Sequence, residues 1–211
     1  AHEIKNPLTP MKLSIQLLNR SWNEKDPKFE TRLKSISTTM IEQIDTLAET
    51  ATSFSDFAKL STVNLTNLNI NELLENCVTL FTQDDKADVT ANLPLEPIVI
   101  IADKDKTTRL FNNLIKNAIQ AIPTDRHGNV LVSLSADSDF ATISVADNGR
   151  GIDEEAKQHL FQLHFTTKET GSGFGLAICK NIVESSGGKI WFETEPNKGS
   201  IFFVKLPLQK G

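Results

Sequence analysis

The sequence has little of what marks secreted, membrane-spanning or nucleic-acid-binding proteins. It contains two cysteines, Cys77 and Cys179, far apart and without metal-ligand spacing, which favours a reduced, cytoplasmic compartment. No apolar run approaches the roughly 18 residues of a membrane helix, and no signal peptide is present. The net charge of −5 gives no basic excess. We therefore expect no nucleic-acid partner and no direct membrane contact within this chain.

What is present is typical of a folded protein. Hydrophobic residues make up 39% and charged residues 23% of the chain, which does not indicate disorder. A length of 211 residues allows one large domain or two small ones. The first residues already lie inside a motif, so we expect the chain to be a piece of a longer protein. A membrane segment upstream of this piece is compatible with the sequence.

Residues 1–57 have a helical pattern throughout. Two apolar series with heptad spacing flank the charged, proline-containing stretch NEKDPK (23–28), which predicts an antiparallel helical hairpin. A lone hairpin buries little apolar surface, so we expect two copies to pair as a homodimeric four-helix bundle. The series are Ile4, Leu8, Met11, Ile15, Leu18 and Trp22, then Phe29, Leu33, Ile36, Met40, Ile44, Leu47, Ala51 and Phe54.

From residue 65 helices and strands interleave. Helices are predicted over 69–81, capped by Asn69 or Asn71, over 103–122 with Asp103 near its N-cap, and over 173–188. The segments DVTANL, PIVIIA, VLVSLSA, FATISVAD, KIWFETE and SIFFVKLP read as strands. We predict an α+β protein, in which residues 58–64 link the hairpin to an α/β sandwich with a mixed sheet over 65–211.

The stretch HEIKNPLTP (2–10) places a histidine beside a glutamate. At about 100° per residue, His2 lies away from the apolar seam, and Asn6, one turn on, shares its face. An exposed imidazole can act as a nucleophile, a metal ligand or a pH switch, and Glu3 can hold the proton of one ring nitrogen. Alternatively, the stretch is a helix start, where Pro7 is tolerated and Glu3 complements the helix dipole.

An asparagine pair, Asn113 and Asn117, lies at i, i+4 opposite an apolar stripe of the predicted 103–122 helix. Two amide oxygens on one face suit Mg²⁺, which prefers oxygen ligands and completes its shell with water or phosphate. An ordinary polar helix face explains the pair equally well.

The segment DNGRGI (147–152) directly follows a predicted strand. Asp147 offers an acceptor to an exocyclic amine, and Gly149 and Gly151 allow backbone to approach a flat ring. A hairpin turn is the alternative, because Asn-Gly is a common turn pair.

The segment TTKETGSGFGL (166–176) precedes another predicted helix. Its glycines, Gly171, Gly173 and Gly175, would let the N–H groups of that helix cradle phosphate, and Thr167 and Lys168 add a hydroxyl and a cation. A flexible loop is the alternative.

These segments occur together in a recognisable order. HEIKNPLT, NLIKN, DNGRGI, FTTK, GSGFGL and GGKIWFETEPNKGSIFFVKLP resemble the H, N, G1, F, G2 and final boxes of bacterial two-component sensor histidine kinases. The resemblance spans nearly the whole chain and is most similar to the nitrogen-regulatory sensors. It implies a dimerisation and phosphoacceptor hairpin over 1–57 and an ATP-binding domain of the gyrase and histidine-kinase type over 65–211.

The resemblance also implies an activity. His2 would take the γ-phosphoryl group of ATP with Glu3 as proton acceptor, and a response-regulator aspartate would then receive it. Asn6 would position water for dephosphorylating the regulator. Asn117, with help from Asn113, would hold Mg²⁺.

The nucleotide residues implied by the resemblance lie downstream of the hairpin. Asp147 would bond the adenine amino group, and Lys168 would lie near the phosphates. The remaining residues would shape the pocket: Gly149, Gly151, Ile152, Thr167, Gly171, Gly173, Phe174, Gly175 and Leu176.

Some positions depart from the family pattern. Gln120 stands where many members have a basic residue that touches phosphate, and Phe174 replaces a leucine. Gln162, Leu163 and His164 replace the frequent Glu-Pro-Phe. None of these changes removes a group that the phosphoryl transfer requires.

Two other functions remain to be weighed. The chain is alternatively a related ATPase that works as a conformational clamp, or an inactive pseudokinase scaffold that binds a response regulator. A clamp needs no His2–Glu3 pair. The presence of Asn117, Asp147 and the glycine loop argues against a pseudokinase.

Overall fold

Two compact units make up the chain. The computed structural model describes residues 2–58, 64–163, 165–166 and 173–209. By contacts between residues, the first unit contains residues 1–59 and 164–174, and the second contains residues 60–163 and 175–211.

The first unit contains the helical hairpin that the sequence predicts. Helix α1 (His2–Asn23) and helix α2 (Phe29–Ala58) pack on each other across the short turn at 24–28. Asp26 holds this turn: its N–H donates to the Ser21 carbonyl at 3.0 Å, and its carboxylate lies 3.2 Å from the Arg32 guanidinium. The same guanidinium donates to the Ser21 hydroxyl at 3.1 Å. The turn is thus fixed by polar contacts that tie the two helix ends together.

Part of the apolar seam of the hairpin stays exposed in the single chain. Leu8 is 46% exposed, Leu33 41% and Trp22 69%, although the Trp22 and Phe29 rings lie with centroids 5.4 Å apart. Exposed large apolar residues that share a heptad seam favour an interaction surface.

The second unit is built on a mixed five-stranded sheet. The strands run β2-β4-β5-β7-β6, in which β2 and β4 are parallel and the other neighbours antiparallel. A separate antiparallel pair joins β1 to β3. The strands are β1 (Thr66–Asn69), β2 (Ala87–Asn92), β3 (Val99–Ala102), β4 (Gly128–Ala136), β5 (Phe140–Asp147), β6 (Lys189–Glu195) and β7 (Gly199–Pro207).

Three helices cover one face of this sheet. Buried and more exposed residues alternate along β4 and β5, and helices α3 (Ile70–Thr79), α4 (Lys104–Ala121) and α6 (Gly175–Ser185) pack on the buried side. Helix α5 (Glu154–Lys157) is a single turn. The core is dominated by large aliphatic residues and Phe111, and the α+β fold with a mixed sheet is therefore confirmed.

The predicted caps of α3 and α4 are confirmed. The Asn69 side chain accepts from the N–H groups of Asn71 and Glu72, and the Asp103 side chain accepts from Lys106. Helix α6 begins two residues later than predicted, because Gly173 has a φ of +68° that no α-helix contains. Strand β1 and helix α5 were not predicted. Across the part of the chain that the structure describes, no helix combines the length and apolarity needed to cross a membrane.

The cap of α4 yields a stability prediction. Burial alone would raise the pKa of Asp103, but hydrogen bonds from the Asn64 and Lys106 N–H groups and the Lys106 charge lower it. The ionised carboxylate therefore stabilises the fold, and this contribution is lost as pH falls through the lowered folded pKa. We expect Asp103→Ala to reduce the free energy of unfolding at pH 7 by about 1 kcal/mol, measured by chemical denaturation.

The matched control is Asp105→Ala, which removes an exposed carboxylate from the same turn. The difference between Asp103→Ala and wild type should shrink below about pH 4, where the unfolded carboxyl is protonated. An equal loss in both variants, or a loss independent of pH, would contradict the capping role.

Candidate functional site

The histidine motif lies at the start of α1. The structure describes the backbone of residues 2–6 and not their side chains. His2 and Asn6 are helical and one turn apart, and α1 continues without interruption through Pro7 and Pro10. The helix on which the motif was predicted is therefore present, while the side-chain roles of His2, Glu3 and Asn6 stay predictions.

Asp147 is the last residue of β5, the central strand of the five-stranded sheet. Its Oδ1 accepts two backbone hydrogen bonds, from Gly149 at 2.8 Å and from Ser200 of β7 at 3.3 Å. Burial raises the pKa of Asp147, and these two hydrogen bonds oppose the rise. With both N–H groups on Oδ1, the second carboxylate oxygen receives no hydrogen bond from the described residues, so an external donor can use it.

A pair of hydroxyls, on Thr194 and Ser200, ties the loop after β5 to strands β6 and β7 and was missed by the sequence analysis. Thr194 of β6 accepts from the Ile152 N–H at 3.0 Å and lies 2.9 Å from the Ser200 hydroxyl. Its own hydroxyl donates to the Gly199 carbonyl at 3.1 Å. Ser200 is 4% exposed. The signal available in the sequence was the Gly-Ser pair after the PNK turn, which places a small hydroxyl opposite Asp147 only once strand register is known.

The two glycines of the DNGRGI loop allow the loop to pack closely against neighbouring backbone. A Cβ on Gly149 would come within 2.7 Å of the Ala121 carbonyl, and the neighbouring Arg150 N–H donates to that carbonyl at 3.1 Å. Gly151 has a φ of +71°, and a Cβ there would collide with the Glu195 carbonyl. Both glycines thus allow the loop to pack between the end of α4 and the β6–β7 turn.

Helix α4 brings its asparagine pair to the start of α6. Asn113 and Asn117 are both partly exposed. If Gly175, the first residue of α6, carried a Cβ, that atom would lie 3.9 Å from the Asn117 amide nitrogen. Leu176 follows Gly175 in the same helical turn. As far as the described residues show, the N-terminus of α6 and the Asn117 amide border one open space.

The donor chemistry of this space fits phosphate and a hard cation. Helix N–H groups favour anions, and amide oxygens are ligands that Mg²⁺ accepts. Among the described residues, no cluster of three or more His, Cys, Asp or Glu side chains is placed to hold a metal ion. Phosphate and water oxygens would complete the shell of a cation held by Asn117 and Asn113.

The rest of the glycine loop is described only in part. Gly173 has its positive φ and Phe174 is buried at 5% exposure, directly before α6. Thr167, Lys168 and Gly171 lie outside the described residues, as does His164. Their predicted contacts with a nucleotide stay predictions.

Known proteins match both the sequence and the fold. The family model for histidine kinase-, DNA gyrase B-, and HSP90-like ATPases matches residues 102–210. Sensor histidine kinase ZraS of Escherichia coli (strain K12) is 34% identical over 99% of this chain and 44% of its own length. Nitrogen regulation protein NtrY of Azorhizobium caulinodans is 29% identical over 99% of this chain and 28% of its own length.

A solved structure covers the same extent. Histidine kinase ThkA, in a crystal structure with response regulator protein TrrA, is 29% identical with a TM-score of 0.79, over 99% of this chain and 60% of that one. The chain spans less than half the length of the two curated relatives. The resemblance inferred from the motifs is confirmed: the chain belongs to the histidine kinase-, DNA gyrase B- and HSP90-like ATPase family, and within it to the bacterial two-component sensor histidine kinases.

Proposed function

We propose that the chain catalyses ATP-dependent autophosphorylation of His2 and transfers the phosphoryl group to an aspartate of a response regulator. The observation that carries this proposal is the half-buried Asp147 carboxylate, with both of its backbone donors on one oxygen. Residues 1–57 form the phosphoacceptor and dimerisation hairpin, 58–64 the linker, and 65–211 the ATP-binding domain. Relatives of this chain are named sensor histidine kinases, which supports the assignment.

The nucleotide would be held at three places in the second unit. The free oxygen of Asp147 accepts the adenine amino group, and the loop of Gly149, Gly151 and Ile152 lies beside it. The N-terminus of α6, with Gly175 and Leu176, faces the phosphates. For Thr167, Lys168, Gly171, Gly173 and Phe174, the family resemblance alone supports a role in nucleotide binding.

The amide oxygen of Asn117 would hold Mg²⁺ with the help of Asn113. The metal, when bound, supplies charge that offsets the negative charge developing on the transferred phosphoryl group. Asn117 is suited to this task because it borders the same space as the N–H groups of α6.

The chemistry requires an in-line attack on the γ-phosphorus. One ring nitrogen of His2 forms the new N–P bond as the bond from phosphorus to the bridging oxygen breaks, and ADP leaves with that electron pair. Glu3 accepts the proton from the other ring nitrogen. The protein's own contribution is to hold the reacting atoms in line and to exclude competing orientations.

The partners follow from this reaction. The phosphohistidine would be attacked by a carboxylate of a response-regulator receiver domain, and Asn6 would position water for the reverse task of dephosphorylating that regulator. The exposed half of the hairpin seam, including Leu8, Trp22 and Leu33, supports a homodimer in which a second hairpin completes a four-helix bundle. The need for ATP and the two free cysteines favour a cytoplasmic location. We propose that the chain is the cytoplasmic part of a membrane-bound sensor.

The two alternatives have less support. An ATPase clamp would use the same nucleotide site but has no use for a histidine and a glutamate at the start of the hairpin. An inactive scaffold would not need the buried charge of Asp147, whose burial is unfavourable without a ligand. No observation favours either alternative over the kinase.

The adenine contact is tested by Asp147→Asn. We expect this variant to weaken ADP binding at least about tenfold, since a hydrogen bond to a charged group contributes about 1.5–3 kcal/mol. Isothermal titration measures the affinity. The fold should remain intact, because the new amide oxygen can still accept from Gly149 and Ser200.

Asp147→Asn should weaken ADP binding and at the same time increase the free energy of unfolding. Because the folded pKa of Asp147 is raised, the ionised carboxylate destabilises the fold. Without nucleotide, wild type should therefore lose stability relative to Asp147→Asn as pH rises above about 4, the ordinary pKa of an aspartate. Asp153→Asn, an exposed carboxyl without a capping hydrogen bond, is the control. Unchanged ADP affinity in Asp147→Asn would refute the adenine role.

The phosphoacceptor is tested with radiolabelled Mg-ATP. Wild type should acquire label that is labile in acid and stable in alkali, and His2→Gln should acquire none while ADP binding is retained. His127→Gln is the matched control, since His127 is exposed and its ring nitrogen lies 3.2 Å from the Asp88 carboxylate of β2. Label that survives in His2→Gln would exclude His2 as the acceptor. Phosphate release by wild type without any protein label would favour the clamp instead.

A further inference from the structure

Asn148 lies in the DNGRGI loop between Asp147 and Gly149, and the proposed function gives it no role. The backbone pairing of β4 with β5 ends at Val130 and Asp147, so Asn148 is the first residue after the paired strand. Directly after it, the chain has to turn so that the Gly149 N–H reaches Asp147 Oδ1 at 2.8 Å. The placement of Asn148 therefore decides how the loop approaches the carboxylate.

The side chain of Asn148 is hydrogen-bonded to the start of β4 through both of its amide atoms. Its oxygen accepts from the Asn129 N–H at 2.7 Å, and its nitrogen donates to the His127 carbonyl at 3.3 Å. A side-chain amide that satisfies an N–H and a carbonyl of another segment takes the place of a backbone peptide. The side chain of Asn148 thus extends the connection between β4 and β5 one residue beyond their last backbone pair.

The backbone of Asn148 is held by the same segment of the chain. The Arg126 guanidinium donates to the Asn148 carbonyl at 3.5 Å and to the Asn197 carbonyl at 3.4 Å. Asn197 belongs to the β6–β7 turn, and its own N–H donates to the Arg150 carbonyl at 2.7 Å. Residues 126–129 therefore hold the first part of the loop, and the β6–β7 turn holds the part that follows.

These contacts bear on Asp147 because its two oxygens have different tasks. Oδ1 accepts from the Gly149 and Ser200 N–H groups, and the other oxygen would accept the adenine amino group. If the loop left β4, the Gly149 N–H would move away from Oδ1. The carboxylate would then keep one of its two backbone donors and could turn its second oxygen away from the nucleotide.

We propose that Asn148 is a positioning residue of the adenine site that acts through Asp147. Its side-chain amide holds the loop on β4, so that the Gly149 N–H stays on Oδ1 and the second oxygen stays in place for the adenine amino group. This inference rests on the proposed function, in which Asp147 binds adenine. Asn148 itself does not contact the nucleotide.

The test compares two ligands, ADP and purine riboside 5′-diphosphate, which lacks only the exocyclic amine. Isothermal titration of the full chain measures both affinities. Wild type should bind ADP at least about tenfold more tightly, because only ADP can donate to Asp147. Asn148→Ala should weaken ADP binding about fivefold, the effect of one net hydrogen bond, and leave the affinity for the analogue within about twofold of wild type. A purely structural role would weaken both ligands alike.

Two further variants check that Asn148 acts through the carboxylate. Asn148→Asp keeps an oxygen that can accept from the Asn129 N–H, and should bind ADP more tightly than Asn148→Ala does. In a chain that already carries Asp147→Asn, adding Asn148→Ala should not weaken ADP binding further, because both substitutions act on one contact.

Asp137→Ala is the matched control at the opposite end of the same two strands. The Asp137 carboxylate accepts from the Asp139 and Phe140 N–H groups at 2.9 and 2.7 Å, in the turn that joins β4 to β5. It thus holds a loop to the sheet as Asn148 does, but far along the strands from Asp147. Its loss should lower the midpoint of thermal unfolding without changing the affinity for either ligand.

Each contrary result has a distinct meaning. If Asn148→Ala binds ADP as wild type does, or loses affinity equally for both ligands, the inference is overturned while the adenine role of Asp147 stands. Effects of the two substitutions that add in the double variant would overturn it as well. If wild type binds ADP and the analogue equally, the adenine contact of the proposed function is refuted, and the inference is refuted with it.

Discussion

A carboxylate taken out of water at the end of β5 is the constraint around which the second unit is organised. Removing the Asp147 charge from solvent is unfavourable, and its raised pKa reflects that cost. The compensation comes from backbone N–H groups, which have to be brought to one oxygen from two directions. This requirement fixes the loop after β5 and the register of β7 at once.

The DNGRGI loop after β5 also binds the end of α4. The Ala121 carbonyl at the end of α4 has no partner within the helix and accepts from the Arg150 N–H instead. Helix α4 itself has two functions. Its buried residues, among them Leu110, Phe111 and Leu114, fill the core, and Asn117 lies beside the first residue of α6. Core packing and the geometry of the proposed phosphate space therefore depend on the position of one helix.

Most of the fold could be predicted from local sequence pattern. The strands at 140–147 and 189–195 were predicted residue by residue, and the caps were narrowed to Asn69 or Asn71 and to Asp103, because alternation and capping are local signals. Strand β1 was not, since its Thr-Asn-Leu-Asn sequence has no strand pattern and pairs with β3 from a distance. Which strands pair depends on contacts between residues far apart in the sequence, and local sequence pattern does not specify these contacts.

The candidate site, like the fold, could be predicted where local signals were enough and not where long-range contacts decide. Motif order identified Asp147, Asn113 and Asn117, yet helical spacing specified only their faces and not their partners. Thr194 and Ser200 were missed although both lie in the quoted segment GGKIWFETEPNKGSIFFVKLP, because their pairing with each other and with the loop after β5 depends on strand register.

The parallel pairing of β2 with β4 has a consequence for how the chain folds. The hairpins β4–β5 and β6–β7 join strands that are adjacent in sequence and can form early. Strand β2 has no such neighbour, because β3 and the whole of α4 lie between it and β4. The loop-closure entropy of this pairing is offset only after α4 has packed. We therefore expect the β2 edge of the sheet to be completed last, after α4 with its asparagine pair is already in place.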